Sequence, residues 1–152
     1  MMTDTKRVID NQDRDEWLQA RPGERFLIRV PAAATNGSYS IVDIISSPGD
    51  STPVHVHEKE DEHMLVVEGT ARCLLGDRTF DAQAGTVVSL PRGIAHAWGN
   101  ATDQPLRLVF TVTPGGCEEA LRLIAAGGDQ VDVLAIAARF STRVIAPPLL
   151  SV

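Results

Sequence analysis

Residues Gly49 to Gly69 read GDSTPVHVHEKEDEHMLVVEG, and this stretch carries most of what the chain says about itself. His55 and His57 stand two residues apart, and Glu62 follows five residues after His57. In an extended strand, side chains at i and i+2 project from the same face. A strand through Val54–His57 therefore points both imidazoles into one space. Neutral imidazoles with a carboxylate make a mixed nitrogen and oxygen donor set suited to a first-row divalent metal. Taken alone, an HxH pair is equally compatible with hydrogen-bonded core histidines or a surface coincidence.

A second stretch changes that balance. GTVVSLPRGIAHAWGN, from Gly85 to Asn100, supplies His96 between a Pro-x-Gly turn and an Asn. The chain has 4 histidines, and His55, His57 and His96 all fall in this pattern. His63 follows Glu62 directly, so alternation turns it to the opposite face, away from the donor set. The metal-ligand assignment is thus His55, His57, Glu62 and His96. Met64, in phase with Glu62, and Trp98, in phase with His96, are expected to shape an adjoining small-molecule pocket, with ordinary barrel core as the alternative for each.

Outward from these two stretches, the chain reads as short strands between turn signals. Glu24 to Val30 alternates Phe26, Ile28 and Val30, and Ser38 to Ser46 follows the PAAATNG turn. ARCLL and RTFDA flank a Gly76–Asp77 turn and predict a hairpin. TVVSL, HAWG and PLRLVFTV complete a β-rich region. Many short strands with Gly and Pro turns predict an all-β sandwich or small barrel rather than an α/β fold. The chain changes character after Pro114. Leu121 and Ile124 have helical spacing behind the Glu118–Glu119 pair, and Val131, Leu134, Ala135 and Ala138 mark the apolar stripe of a second short helix. Both helices are expected to pack on the outside of the barrel or across an oligomer contact. The expected division is a lead-in over 1–23, a β-barrel over 24–114 and a helical extension over 115–152. Trp17 and Leu18 are expected to dock the lead-in on the barrel.

The two spacings, Gly49, His55, His57, Glu62, Gly69 and Gly85, Pro91, Gly93, His96, Asn100, are those of the paired motifs of the cupin superfamily. Over about residues 24–150 the chain resembles small single-domain bacterial cupins of the quercetin-dioxygenase-like kind. The resemblance implies a double-stranded β-helix, or jelly-roll barrel, with one divalent metal ion per chain (iron, manganese, nickel, cobalt or zinc). It also implies a dioxygenase acting on a small aromatic or enol-containing, flavonol-like substrate, in which Glu62 is both ligand and catalytic proton acceptor. A homodimer is a further implication. The same donor set also suits non-oxidative isomerase, decarboxylase or hydrolase chemistry, or a cupin that binds a small ligand without turning it over.

Composition narrows the alternatives. The 152 residues suit one domain with its own core. A formal net charge of −6 with no basic cluster argues against nucleic acid or anionic membranes as partners and leaves a small-molecule substrate. The polar, mixed-charge start MMTDTKRVIDNQDRDEW is unlike a signal or transit peptide. The 2 cysteines, Cys73 and Cys117, have no CxxC spacing, so a reducing, cytoplasmic setting with inert thiols is expected. No GxSxG elbow, P-loop or Rossmann fingerprint offers another chemistry. Arg72, Arg92 and Arg107 read as surface residues, with an anionic substrate as the alternative use.

Overall fold

A computed structural model describes residues 16–150; the lead-in before residue 16 lies outside the described residues. Ten strands form two antiparallel five-stranded sheets. They are β1 (Glu24–Val30), β2 (Ser40–Ser46), β3 (Pro53–His57), β4 (Asp61–Glu68), β5 (Thr70–Leu75), β6 (Arg78–Gln83), β7 (Val87–Leu90), β8 (His96–Gly99), β9 (Leu106–Thr113) and β10 (Thr142–Pro148). The first sheet runs β1-β2-β9-β4-β7 and the second β10-β3-β8-β5-β6. Two helices, α1 (Glu118–Gly127) and α2 (Val133–Arg139), lie between β9 and β10. Among the described residues, no helix is long and apolar enough to cross a membrane.

The core fills the space between the sheets and follows the period-2 pattern of each strand. In β4, Glu62, Met64 and Val66 are buried while His63, Leu65 and Val67 face out. β9 alternates likewise, burying Leu106, Leu108, Phe110 and Val112. Register aligns these rows: Met64 pairs with Phe110 and Val88, and Phe110 in turn with Val42. Full burial of side chains of this size contributes roughly 1.5–3 kcal/mol each. Trp17 and Leu18 dock as expected. Leu18 exchanges backbone hydrogen bonds with Phe26 at 2.9 and 2.8 Å, and the Arg29 guanidinium lies 5.9 Å from the Trp17 ring centre.

The motif residues outside the donor set are turn staples. Gly69 has φ +83°, and a Cβ there would lie 2.5 Å from the Pro105 carbonyl oxygen, so both conformation and space require glycine. Gly93 N–H donates to the His57 carbonyl at 2.8 Å, which ties the second motif to the first. Asn100 is fully buried; its Nδ2 donates to the Ser46 and Gln104 carbonyls, and its Oδ1 accepts from Thr102.

The C-terminal segment departs from expectation in three ways. It is not helical throughout, because β10 returns to the barrel and pairs with β3, setting Thr142 opposite His57 and Val144 opposite His55. That pairing joins residues more than eighty positions apart, beyond the reach of local patterning. Secondly, α2 half-buries Ile136 and Ala137, with Phe140 just after it, whereas Leu134 is 63% exposed and Ala135 and Ala138 face solvent. Thirdly, the helices do not pack on a featureless outer surface. Ala120, Leu121 and Ile124 of α1 and Ala137 of α2 line a cavity between the sheets. Glu118 anchors this roof: its buried carboxylate accepts from Ala32 N–H and Gly116 N–H, each at 2.7 Å.

Candidate metal centre

Three strands bring the sequence-assigned donors together. β3 supplies His55 and His57 on its inner face, β8 supplies His96 opposite His55, and β4 of the other sheet supplies Glu62. The imidazole ring centres lie 4.4 Å (His55–His96), 5.0 Å (His55–His57) and 5.5 Å (His57–His96) apart. One nitrogen from each falls within 4.8 Å of the others. Glu62 reaches across from the facing sheet, with Oε1 at 2.9 Å from His57 Nε2 and Oε2 at 3.6 Å from His96 Nε2.

Neighbouring groups orient each ring. His55 Nδ1 is 2.8 Å from the Pro53 carbonyl, and His96 Nδ1 is 3.3 Å from the Ile94 carbonyl. A carbonyl only accepts, so each of these Nδ1 atoms carries the proton and Nε2 keeps its lone pair. His57 Nδ1 is 2.9 Å from Thr142 Oγ1, with Glu60 Oε2 3.7 Å away. His96 is 1% exposed, and its Nε2 has no hydrogen-bond partner among the described residues. A buried lone pair without a donor beside two further imidazoles and a carboxylate fits a divalent metal, with an outer layer of partners of the kind that orients metal ligands.

The electrostatics agree. Burial, reinforced by the neighbouring His96 and His57, pushes the His55 pKa down to about 3, leaving a neutral imidazole. At His57 burial acts downward, but the charge and hydrogen bond of Glu62, with Glu60 behind, outweigh it and move the group up. At Glu62 burial acts upward, yet His57 and His96 hold the carboxyl well below its ordinary range. The centre therefore sets a neutral His55 beside an ionised Glu62 that favours the protonated form of His57.

Of the two expected pocket residues, Trp98 lines the cavity and Met64 does not. Met64 is 0% exposed and belongs to the hydrophobic core, where its central position in β4 packs it among Phe110 and Val88. His63 faces outward and pairs with Ser89 Oγ at 3.1 Å. Arg72, Arg92 and Arg107 are each tied to a carboxylate, Asp81, Asp61 and Asp43 respectively. None of the three lines the cavity.

Sequence reasoning missed two residues at this centre. Cys117, placed by the turn before α1, brings its sulfur within 4.8 Å of ligand atoms of His57 and Glu62. Burial and then the Glu62, Glu60 and Glu118 carboxylates push its thiol well above the ordinary range, so it stands there protonated. Cys73, in the core, is raised to about 11, chiefly by burial. Both thiols are free. Thr142 is the other missed residue. No local signal marks either one; both reach the site through chain segments distant in sequence.

The Cupin_2 family, a cupin domain, matches residues 43–112, a span that contains all four assigned ligands. The chain carries a cupin domain. It is 30% identical over 102 residues to mannose-1-phosphate guanylyltransferase 2 of Escherichia coli O157:H7, covering 67% of this chain and 21% of that protein. It is 28% identical over 88 residues to quercetin 2,3-dioxygenase of Bacillus subtilis (strain 168), covering 53% of this chain and 26% of that protein. This cupin thus spans about a fifth to a quarter of the length of those relatives. Its fold matches that of KdgF from Halomonas sp. with a TM-score of 0.64 at 17% identity, over 71% of this chain and 94% of that one. The relatives' names describe unrelated activities, so cupin membership accounts for the barrel and leaves the reaction to the site.

Proposed function

We propose that this cupin is a metal-dependent dioxygenase acting on a small enol- or phenol-bearing substrate. The observation that carries the reading is the position of the donor set. His55, His57 and Glu62 line one end of a largely apolar cavity of about 200 Å³ between the sheets. Ligands and substrate space are thus continuous, as a reaction at a metal requires. Similarity to a quercetin 2,3-dioxygenase supports the oxidative form of that chemistry.

A bound divalent ion would be held by His55, His57, His96 and Glu62, and would supply coordination positions for a substrate oxygen and for dioxygen. The chain's own residues do the rest. Trp98 and Phe110 present aromatic surface to a flat substrate. The α1–α2 roof covers part of the cavity with apolar side chains. Glu62 accepts the proton of the substrate hydroxyl at a carboxylate oxygen, because it is the carboxylate at the junction of donor set and cavity. Both oxygen atoms enter the product and the substrate supplies the electrons, so no external reductant is needed.

The test is elemental analysis of purified protein, followed by oxygen uptake on 3-hydroxyflavones and simple enediols after reconstitution with each candidate metal. About one redox-capable ion per chain with substrate-dependent uptake is the expected result. Metal without uptake on any of these compounds would overturn the dioxygenase reading in favour of Lewis-acid chemistry at the same residues.

A further inference from the structure

The cavity has a second polar end that the metal chemistry does not use. β1 begins at Glu24, which pairs with Ser46 at one end of β2; Glu62 lies in register with Val112 and so with Ser40, at the other end. Trp98 stands between the two ends. It shares the inner face of β8 with His96, and its ring centre lies 5.1 Å from the Arg21 guanidinium. Arg21 is bound by two carboxylates: Nε and Nη2 donate to Asp50 at 2.8 and 3.0 Å, and Nη1 contacts Glu24 Oε2 at 2.5 Å. Ser46 Oγ donates to Asp50 at 2.6 Å and holds that carboxylate in place.

Glu24 is 1% exposed and lines the cavity, yet its Oε1 is reached by no donor among the described residues. A buried carboxylate oxygen without a donor is costly, about 1–3 kcal/mol or more, and such an atom marks a place where a ligand group is expected. Its surroundings limit what that group is. One guanidinium faces two carboxylates, and among the described residues Arg21 is the only Lys or Arg lining the cavity. The far end therefore repels an anion and accepts a donor. Burial, only partly offset by Arg21, raises the Glu24 pKa, consistent with a carboxylate short of partners.

We infer that Glu24 Oε1, held in place by Arg21 and Asp50, is a second recognition point that binds a hydroxyl or N–H donor on a neutral ligand. The ligand's apolar body would lie along Trp98 and Phe110, with the metal end of the cavity beyond. The site selects uncharged hydroxylated aromatic or enolic compounds and rejects carboxylated or phosphorylated ones at this end. It rests on the preceding proposal only in taking this cavity as the substrate's.

The test uses three small probes, phenol, its near-isostere toluene, and benzoate, titrated into the full-length protein as purified and followed by NMR. Metal content is matched across variants, so contributions from the metal end cancel. A hydrogen bond to a charged acceptor is worth about 1.5–3 kcal/mol, so the phenol-to-toluene affinity ratio should fall about ten- to a hundred-fold in Glu24→Leu. In Glu24→Gln, which keeps the side-chain volume and shape, the ratio should fall less and benzoate should bind several-fold more tightly than to wild type. A ratio unchanged within twofold in both variants, benzoate binding wild type as well as phenol does, or no phenol binding to wild type would each overturn the inference. None of these readings involves oxygen. A protein that consumes none yet keeps its Glu24-dependent phenol preference retains this site and loses only the dioxygenase reading.

Discussion

His57 Nε2 stands 2.9 Å from Glu62 Oε1, so two members of the proposed metal-binding set are each other's hydrogen-bond partners. A metal must take the same nitrogen, so it competes with the proton that the cationic form of His57 holds there. Glu62 raises the His57 pKa above its ordinary 6.5 against the pull of burial, so metal affinity should climb with pH through that raised value. In Glu62→Gln that charge is gone and only Glu60 still opposes the effect of burial on His57. The midpoint of the affinity profile should then move to lower pH, and affinity at neutral pH should drop at least tenfold with loss of the carboxylate ligand. Chelator competition between pH 5 and 8 measures both; an unshifted midpoint would separate Glu62 from His57.

Thr142→Val removes the hydroxyl 2.9 Å from His57 Nδ1 while keeping the side chain's shape. Loss of an outer partner to a metal-binding histidine typically costs about 10–100-fold in affinity or activity. The variant should fold normally and retain metal more weakly. Equal retention in wild type and variant would assign the orientation of His57 to Glu60 instead.

Acid should destabilise this protein through His55. Its folded pKa is lowered to about 3 from 6.5, so between those values the unfolded chain binds the proton the folded one refuses. Stability is therefore lost as pH falls through that window, with a slope that approaches about 1.4 kcal/mol per pH unit for one proton. His57 has the opposite sign. Its folded pKa is raised, so its contribution is present below 6.5 and fades as pH rises through the folded value. Denaturant titrations of chelator-treated protein from pH 4 to 7 should show His55→Gln with a flatter acid limb than wild type.

Two motif glycines should respond differently to alanine. At Gly69 the new Cβ meets the Pro105 carbonyl oxygen at 2.5 Å and φ is +83°, whereas at Gly85 φ is +93° but nothing lies within 4 Å. Gly69→Ala combines backbone strain with a clash against main chain and should cost about 2–4 kcal/mol; Gly85→Ala carries strain alone, about 1 kcal/mol. Chemical denaturation of the two variants tests the ranking, and equal losses would mean that the β9 backbone yields to the added methyl.

Much of the barrel was readable because strand alternation is local. β1 falls on the expected Glu24–Val30, and the hairpin turns at Gly76–Asp77. The candidate donors were readable for the same reason: His55 and His57 share a strand face, and Glu62, second in β4, and His96, first in β8, have a phase that sends them inward. Met64 shows the limit of that reasoning. Phase places it inward, but inward comprises both core and cavity, and only the packing of the two sheets assigns it to the core. Leu134 fails in a related way, since a seven-residue helix offers too few turns for an apolar stripe to name its buried face.

The sequence by itself determined a β-rich cupin fold and a candidate donor set of three histidines and one glutamate, because residue spacing and strand period are properties of a few consecutive residues. Only the tertiary structure decided what surrounds that set. β10 crosses back to place Thr142 on His57, the turn before α1 brings Cys117 beside Glu62, and the helices roof the cavity. Arg21 joins Glu24 to Asp50 at the cavity's far end. Most of these contacts join residues far apart along the chain, and they arise only when both sheets and the returning C-terminal strand are packed together.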